Sequence, residues 1–217
     1  MNATVSHANE FQQALQTCAP RFGVALDAET MARLSEYYAQ VNLWNARLHL
    51  VAPCSPAQFA TRHILESLLA APHLPLGARI ADVGSGAGLP IIPCLIARPD
   101  LQSATLIEAN ARKSVFLRET LRRVAPQSNA LVVNKRFEAI EATAFEAVTC
   151  RALERFTEKF EELVRWSPPA SALLFFGGPS LRARIEAARL SFSTIHLPES
   201  EQRYLFIIEQ RASLDAN

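Results

Sequence analysis

The stretch Arg79-Ile80-Ala81-Asp82-Val83-Gly84-Ser85-Gly86-Ala87-Gly88-Leu89-Pro90 decides the fold. A short apolar run broken only by Asp82 leads straight into glycines spaced Gly-x-Gly-x-Gly, and a helical segment follows at about 88–98. A buried strand that turns through glycines into a helix is the first βα turn of a doubly wound fold, where ligands sit beyond the carboxyl ends of the strands. Glycines there permit positive φ and let a ligand approach the backbone. A dinucleotide fingerprint needs Gly-x-Gly-x-x-Gly, and its third glycine position is Leu89 here. Asp82 opposes that reading too, because a carboxylate beside the loop repels a pyrophosphate. It suits the ammonium group of a methionine moiety, met directly or through water, while it organises the loop amides. The next apolar run ends at Glu108, whose carboxylate accepts both hydroxyls of an adenosine ribose. Strand, Asp82, loop, helix and Glu108 together indicate S-adenosyl-L-methionine.

Working outward, apolar runs recur at Arg79–Val83, Ala104–Glu108, Ala130–Val133, Ala147–Cys150, Ala172–Phe176, Ser193–Leu197 and Tyr204–Glu209. Helical segments at about 88–98, 110–124 and 156–166 separate the early ones. That alternation predicts βαβ units and a parallel sheet covered on both faces. No long helix fits between the last two runs, so they predict an antiparallel hairpin at one edge. The fold class is therefore α/β, a doubly wound, Rossmann-like, seven-stranded and mostly parallel sheet. Residues 8–72 read as helical. Met31, Leu34, Tyr37, Tyr38, Val41, Trp44 and Leu48 form a helical stripe over 29–48, capped by Asp27 with Thr30 three residues on. A second helix follows Ser55-Pro56 and stops at Pro72 and Pro75. Residues 1–76 are thus expected to be a helical extension packed on a domain at 77–217.

Composition excludes more than it selects. With 217 residues, 49% hydrophobic and 20% charged, the chain is an ordinary globule, and no apolar run is long enough for a membrane span. The N-terminus lacks the pattern of a secretory signal. Cys18, Cys54, Cys94 and Cys150 are scattered without a Cys-x-x-Cys pair, which predicts thiols in a reducing cytoplasm and no metal site. Cys54, Cys94 and Cys150 are expected to be buried structural thiols. A net charge of +1 gives no global basic field. Arginine supplies 19 of the 22 basic side chains, which suits bidentate binding of phosphate and guanine edges and equally suits compositional drift.

Trp44-Asn45, Arg62-His63-Ile64-Leu65-Glu66-Ser67, the glycine loop through Leu89-Pro90 with Ile92-Pro93, and Arg151-Ala152 follow one another as in the RsmG (GidB) family. Over about residues 30–210 the chain resembles that family, whose members methylate N7 of a guanine in small-subunit (16S) ribosomal RNA. The resemblance implies a class I methyltransferase core and a monomer acting on that RNA or the 30S particle, away from membranes. It implies cofactor contacts at Asp82, Gly84, Gly86, Leu89, Glu108 and Arg151, and an adenine frame at Phe137 and Glu138. Arg151, at the end of the fourth strand, matches the arginine at the active-site mouth and is the expected catalytic residue; a surface ion pair with Glu154 or Glu158 is its structural alternative. Arg62, His63, Arg112 and Lys113 are candidate RNA contacts. His63 reads equally well as a satisfied core histidine, and the basic face of helix 110–124 as a solvated one.

N7 of guanine carries an in-plane lone pair, so such an enzyme needs positioning more than a general base. No Asn-Pro-Pro-Tyr segment follows the fourth strand, which argues against exocyclic-amine methylation. Three positions depart from the family pattern: His49-Leu50-Val51 replaces Asn-Leu-Thr, Glu108 replaces an aspartate, and Gly177 stands where a lysine closes the fifth strand. These leave two alternatives open, a paralogue that methylates another substrate and a non-catalytic cofactor-binding module.

Overall fold

A computed structural model describes residues 2–101, 103–142, 145–151 and 156–209. Seven strands form one sheet in the order β3-β2-β1-β4-β5-β7-β6. These are β1 (Arg79–Val83), β2 (Ser103–Ile107), β3 (Asn129–Val133), β4 (Ala147–Arg151), β5 (Ala172–Gly177), β6 (Phe192–His196) and β7 (Tyr204–Glu209). β1 through β5 pair parallel; β7 runs antiparallel between β5 and β6. The strand order reverses at β1, with β2 on one side and β4 on the other, so the crevice of a doubly wound sheet opens above its carboxyl end.

The helices are α1 (Asn2–Cys18), α2 (Ala28–Leu48), α3 (Pro56–Phe59), α4 (Glu66–Leu68), α5 (Ile91–Ala97), α6 (Ala111–Val124), α7 (Phe156–Trp166) and α8 (Pro179–Ala187), with a π-helical turn (Ala60–Leu65) joining α3 to α4. Asp27 caps α2 as its sequence indicates, its Oδ1 accepting the Thr30 N–H at 2.7 Å. Ser55 and Gln58 form a reciprocal capping box on α3. Two apolar clusters cover the two faces of the sheet. One joins Phe11, Leu34, Tyr37, Val41, Phe59, Ile64 and Leu65 to Ile80, Ile92, Leu95, Phe116 and Leu117, so the N-terminal helices share a core with α5 and α6. Phe11 stacks on Tyr38 at 4.5 Å, and Phe59 packs against both. The other cluster holds Phe137, Val148, Phe160, Leu163, Phe175, Leu181 and Phe206 under α7 and α8.

Some details differ from the sequence reading. α5 begins at Ile91, because Gly84, Gly86 and Gly88 all take positive φ, so the chain is still turning at 88. α8 is an additional helix. The helical stretch begins at Asn2 and breaks at Gly23, whose φ of 66 ends the first element, and again beyond His49. β2 stops at Ile107, leaving Glu108 just past the strand.

Candidate functional site

Above the carboxyl ends of β1, β2 and β4 lies a cavity of about 530 Å³, within the range of small-molecule sites. Its floor is Gly84 to Ala87 with Leu89. The loop is held by backbone bonds on one side: the N–H groups of Gly84 and Ser85 both donate to the Ile107 carbonyl. On the other side the buried Tyr37 hydroxyl of α2 donates to the Ala87 carbonyl at 2.8 Å, and burial pushes that phenol above its usual range. Gly88 has no room for a side chain, since a Cβ there would lie 2.3 Å from the Ile92 Cδ1.

Glu108 does what Asp82 was expected to do. Its Oε2 accepts the Gly86 N–H at 2.8 Å and its Oε1 the Asn110 N–H at 2.7 Å, so this carboxylate organises the loop. Each oxygen keeps a further lone pair for a ligand hydroxyl. The extra methylene relative to aspartate goes with this reach back across the loop. Asp82 instead lies fully buried beneath the loop; its Oδ1 accepts the Thr149 hydroxyl at 2.6 Å and its Oδ2 has no partner. Burial raises its pKa to about 7, offset in part by that hydroxyl. A buried, half-satisfied carboxylate under a glycine cradle fits a ligand that brings a cationic donor.

Arg151 ends β4 and turns toward the N-terminal helices. Its guanidinium donates to Glu66 Oε2 at 2.9 Å, to the Arg62 carbonyl at 2.6 Å and to Ser67 Oγ at 3.2 Å, and it lies over the Phe176 ring. The Arg-His-Ile-Leu-Glu-Ser segment is therefore the socket for this arginine, built on the π-helical turn. Arg151 thus pairs with Glu66, a buried carboxylate. Glu154 and Ala152 lie outside the described residues. Arg203, from the β6–β7 connection, grips the same Glu66 bidentately at 2.9 and 2.7 Å. Burial raises the Glu66 pKa while both guanidinium groups pull it down.

Gly84, Gly86, Leu89, Glu108, His63, Lys113 and Arg151 thus line one cavity, together with Leu50, Val51, Ala52 and Asn110. Arg62 and Arg112 are exposed outside it. Phe137 is buried in the second core against Trp166, and Glu138 pairs with Lys159, so neither side chain lines the cavity. His63 is not the satisfied core histidine, for its buried Nδ1 has no partner. Cys94 and Cys150 are buried, whereas Cys54 is exposed, correcting the expectation for that thiol. Asn45 accounts for the Trp-Asn pair: its amide grips both the N–H and the carbonyl of Val51, and the departure at Val51 leaves this backbone clamp intact. Gly177 faces away from Arg151. Phe176 pairs with Arg151 in register, and a Cβ at Gly177 would meet Leu181 of α8 at 2.6–2.9 Å on the opposite sheet face. Tyr37, Glu66 and Arg203 were not singled out from sequence; only the motif containing Glu66 offered a signal. Among the described residues no His, Cys, Asp and Glu group is placed to hold a metal ion, and no helix is long and apolar enough to cross a membrane.

A family model described as rRNA small subunit methyltransferase G matches residues 30–207. A ribosomal RNA small subunit methyltransferase G of Xanthomonas axonopodis pv. citri is 44% identical over 131 residues, 60% of each chain. One of Sorangium cellulosum is 37% identical over 180 residues, covering 78% of this chain and 72% of that protein. The match thus spans about three fifths of the Xanthomonas relative. Among solved structures, the ribosomal protein L11 methylase of Lactobacillus delbrueckii subsp. bulgaricus superposes with a TM-score of 0.57 at 11% identity, over 69% of this chain and 79% of that one. The magnesium protoporphyrin IX methyltransferase of Synechocystis PCC 6803, solved with bound SAM, superposes at 0.54 and 15% identity, over 86% and 98%. At these identities the likeness is one of fold.

Proposed function

With a chain that belongs to the rRNA small subunit methyltransferase G family as the premise, we propose that it transfers a methyl group from S-adenosyl-L-methionine to N7 of a guanine in small-subunit ribosomal RNA. The observation that carries this reading is the single cavity that joins the glycine loop and Glu108 to Arg151 and His63. The glycine loop and Leu89 cradle the methionine and ribose side, with Glu108 accepting from the ribose and the buried Asp82 beneath the loop as the counter-charge for the cationic end. When bound, the cofactor supplies a sulfonium-bound methyl carbon, so the N7–C bond forms as the S–C bond breaks and the electron pair returns to sulfur. No proton has to move in that step. What the chain contributes is position. Arg151 is fixed by three acceptors and retains N–H groups beyond those it uses there. Arg62, Arg112 and Lys113 border the opening as phosphate contacts, which fix register without reading sequence. Phe137 and Glu138 serve the adenine end through the backbone of their turn. In the same reading residues 1–76 are an extension that walls the site and 77–217 the catalytic domain, acting as a cytoplasmic monomer on the RNA or 30S particle.

The test is transfer of tritiated methyl from the cofactor to small-subunit RNA, naked and in 30S particles, followed by digestion to nucleosides. Label in 7-methylguanosine is expected. Label in another nucleoside or only on protein refutes the guanine assignment, and cofactor binding without transfer to any acceptor refutes the enzyme.

A further inference from the structure

We infer that His63 is the residue that selects guanine, its neutral imidazole donating from Nε2 to O6 of the target base; this rests on the N7-guanine reading above. The ring sits in the π-helical turn, packed against Phe59 with centroids 5.0 Å apart, and lines the cavity beside Arg151 and the glycine loop. Nδ1 is buried and without a partner. That leaves Nε2 as the nitrogen on the open side. A buried bare lone pair is tolerated better than an orphaned buried N–H, so the single proton of a neutral ring belongs on Nε2.

The surroundings keep the ring neutral. Arg62 lies beside it on the same turn, Arg151 comes from β4 and Arg203 from the β6–β7 connection; Tyr37 of α2 lies near Arg151. Glu66 is already shared by Arg151 and Arg203, and Glu108, on the same cavity, is held by the Gly86 and Asn110 N–H groups. Burial first, then the three arginines, bring the His63 pKa down to about 4. A neutral donor matters because methylation places positive charge on the purine, and an imidazolium at O6 would oppose it. The same donor discriminates bases. Beside N7, guanine presents the O6 acceptor and adenine an amino donor, so Nε2–H bonds the first and confronts the second. N7 itself stays free for the methyl group.

The experiment compares the wild type with His63→Phe and His63→Gln on unmodified small-subunit RNA, and on the same RNA with the target guanine changed to adenine. Kinetic constants, cofactor affinity by calorimetry, melting temperature and a pH profile from 5.5 to 8.5 are read for each. His63→Phe, which keeps the ring on Phe59, is expected to lower kcat/KM by roughly ten- to a hundredfold and to narrow the preference for guanine over adenine. Cofactor affinity should stay within about twofold, and His63→Gln, which restores an N–H, should recover part of the loss. Wild-type rates should show no break attributable to His63 near its ordinary pKa of 6.5. The inference is overturned if His63→Phe keeps wild-type kcat/KM, if Gln is no better than Phe in folded protein, or if a wild-type break near that pH vanishes in both variants. Wild-type protein that labels no guanine overturns the underlying reading instead, and the role of His63 falls with it.

Discussion

Replacing Asp82 by asparagine removes a charge that the fold hides completely while keeping the side chain's shape. In the folded chain the carboxyl titrates near 7, against an ordinary value of 3.8, because burial disfavours the anion more than the Thr149 hydroxyl stabilises it. The folded state therefore binds a proton that the unfolded state has released. Stability from this group is complete below the unfolded value and is lost as pH rises through the folded one. Linkage gives a slope of about 1.4 kcal/mol per pH unit between those values. Between pH 5 and 8 the wild type should lose roughly 3 kcal/mol relative to Asp82→Asn, since the change stops at the folded pKa. For a chain of this length that is about 6–12 °C in melting temperature. The asparagine also leaves an amide N–H where Oδ2 had no partner, a constant cost of roughly 1–3 kcal/mol. The decisive quantity is therefore the change of the difference with pH, not its sign at one pH. Thermal melts of both proteins from pH 4.5 to 9 measure it. Saturating S-adenosyl-L-methionine at pH 8 should stabilise the wild type more than the variant, because only the carboxylate gains a cationic partner. A wild-type melting temperature that stays constant or rises relative to that of Asp82→Asn as pH rises would refute the assignment of a buried, proton-holding Asp82.

Glu66→Gln removes the carboxylate that Arg151 and Arg203 share, leaving the buried Arg151 guanidinium without that counter-charge. A loss of roughly 3–5 kcal/mol is expected, read as a fall in melting temperature, and adding Arg203→Gln should restore part of it in a double-mutant cycle. Gly88→Ala puts a Cβ 2.3 and 2.7 Å from Ile92 atoms at a φ of +88, so little folded protein should survive by circular dichroism. Gly86→Ala is the milder change: at a φ of +53 an alanine is strained by roughly 1–2 kcal/mol, but its Cβ meets only the Gly84 carbonyl at 3.7 Å, so folded protein should remain, with a lower melting temperature and weaker cofactor binding by calorimetry.

The central strands β1, β4 and β5 were legible within about a residue because a strand covered on both faces is a nearly unbroken apolar run. α8 was not, for physical reasons. Gly177-Gly178-Pro179 reads as a turn, although proline at the first helical position is favourable, and only Leu181 and Ile185 mark the buried face of α8. The site divides the same way. Gly84, Gly86 and Glu108 announce themselves because loop and strand end are adjacent in sequence. Glu108 rather than Asp82 holds the loop amide, because sequence does not show which carboxylate is under the loop and which beside it. Arg203 lies 137 residues from the Glu66 it grips, and no local pattern connects them. Cys54 follows an apolar-looking stretch yet stays exposed on the connection into α3.

The contacts that cross between the N-terminal helices and the sheet say what those helices hold in place. Tyr37 holds the Ala87 carbonyl, Arg62, Glu66 and Ser67 hold Arg151, and Asn45 fixes the segment that brings Leu50, Val51 and Ala52 to the cavity. Each buried polar contact of this kind costs more when broken than it gains when made. The glycine loop and Arg151 therefore keep their places only while α2 and the π-helical turn keep theirs. A ligand that orders the loop must then stabilise the extension as well, since the Ala87 carbonyl and the Tyr37 hydroxyl move together or lose their bond. The same coupling bears on Gly177. A lysine there would start on the α8 face, so its absence leaves the Arg151 socket untouched, and the cations that line the cavity among the described residues are Arg151, from β4, and Lys113, from α6.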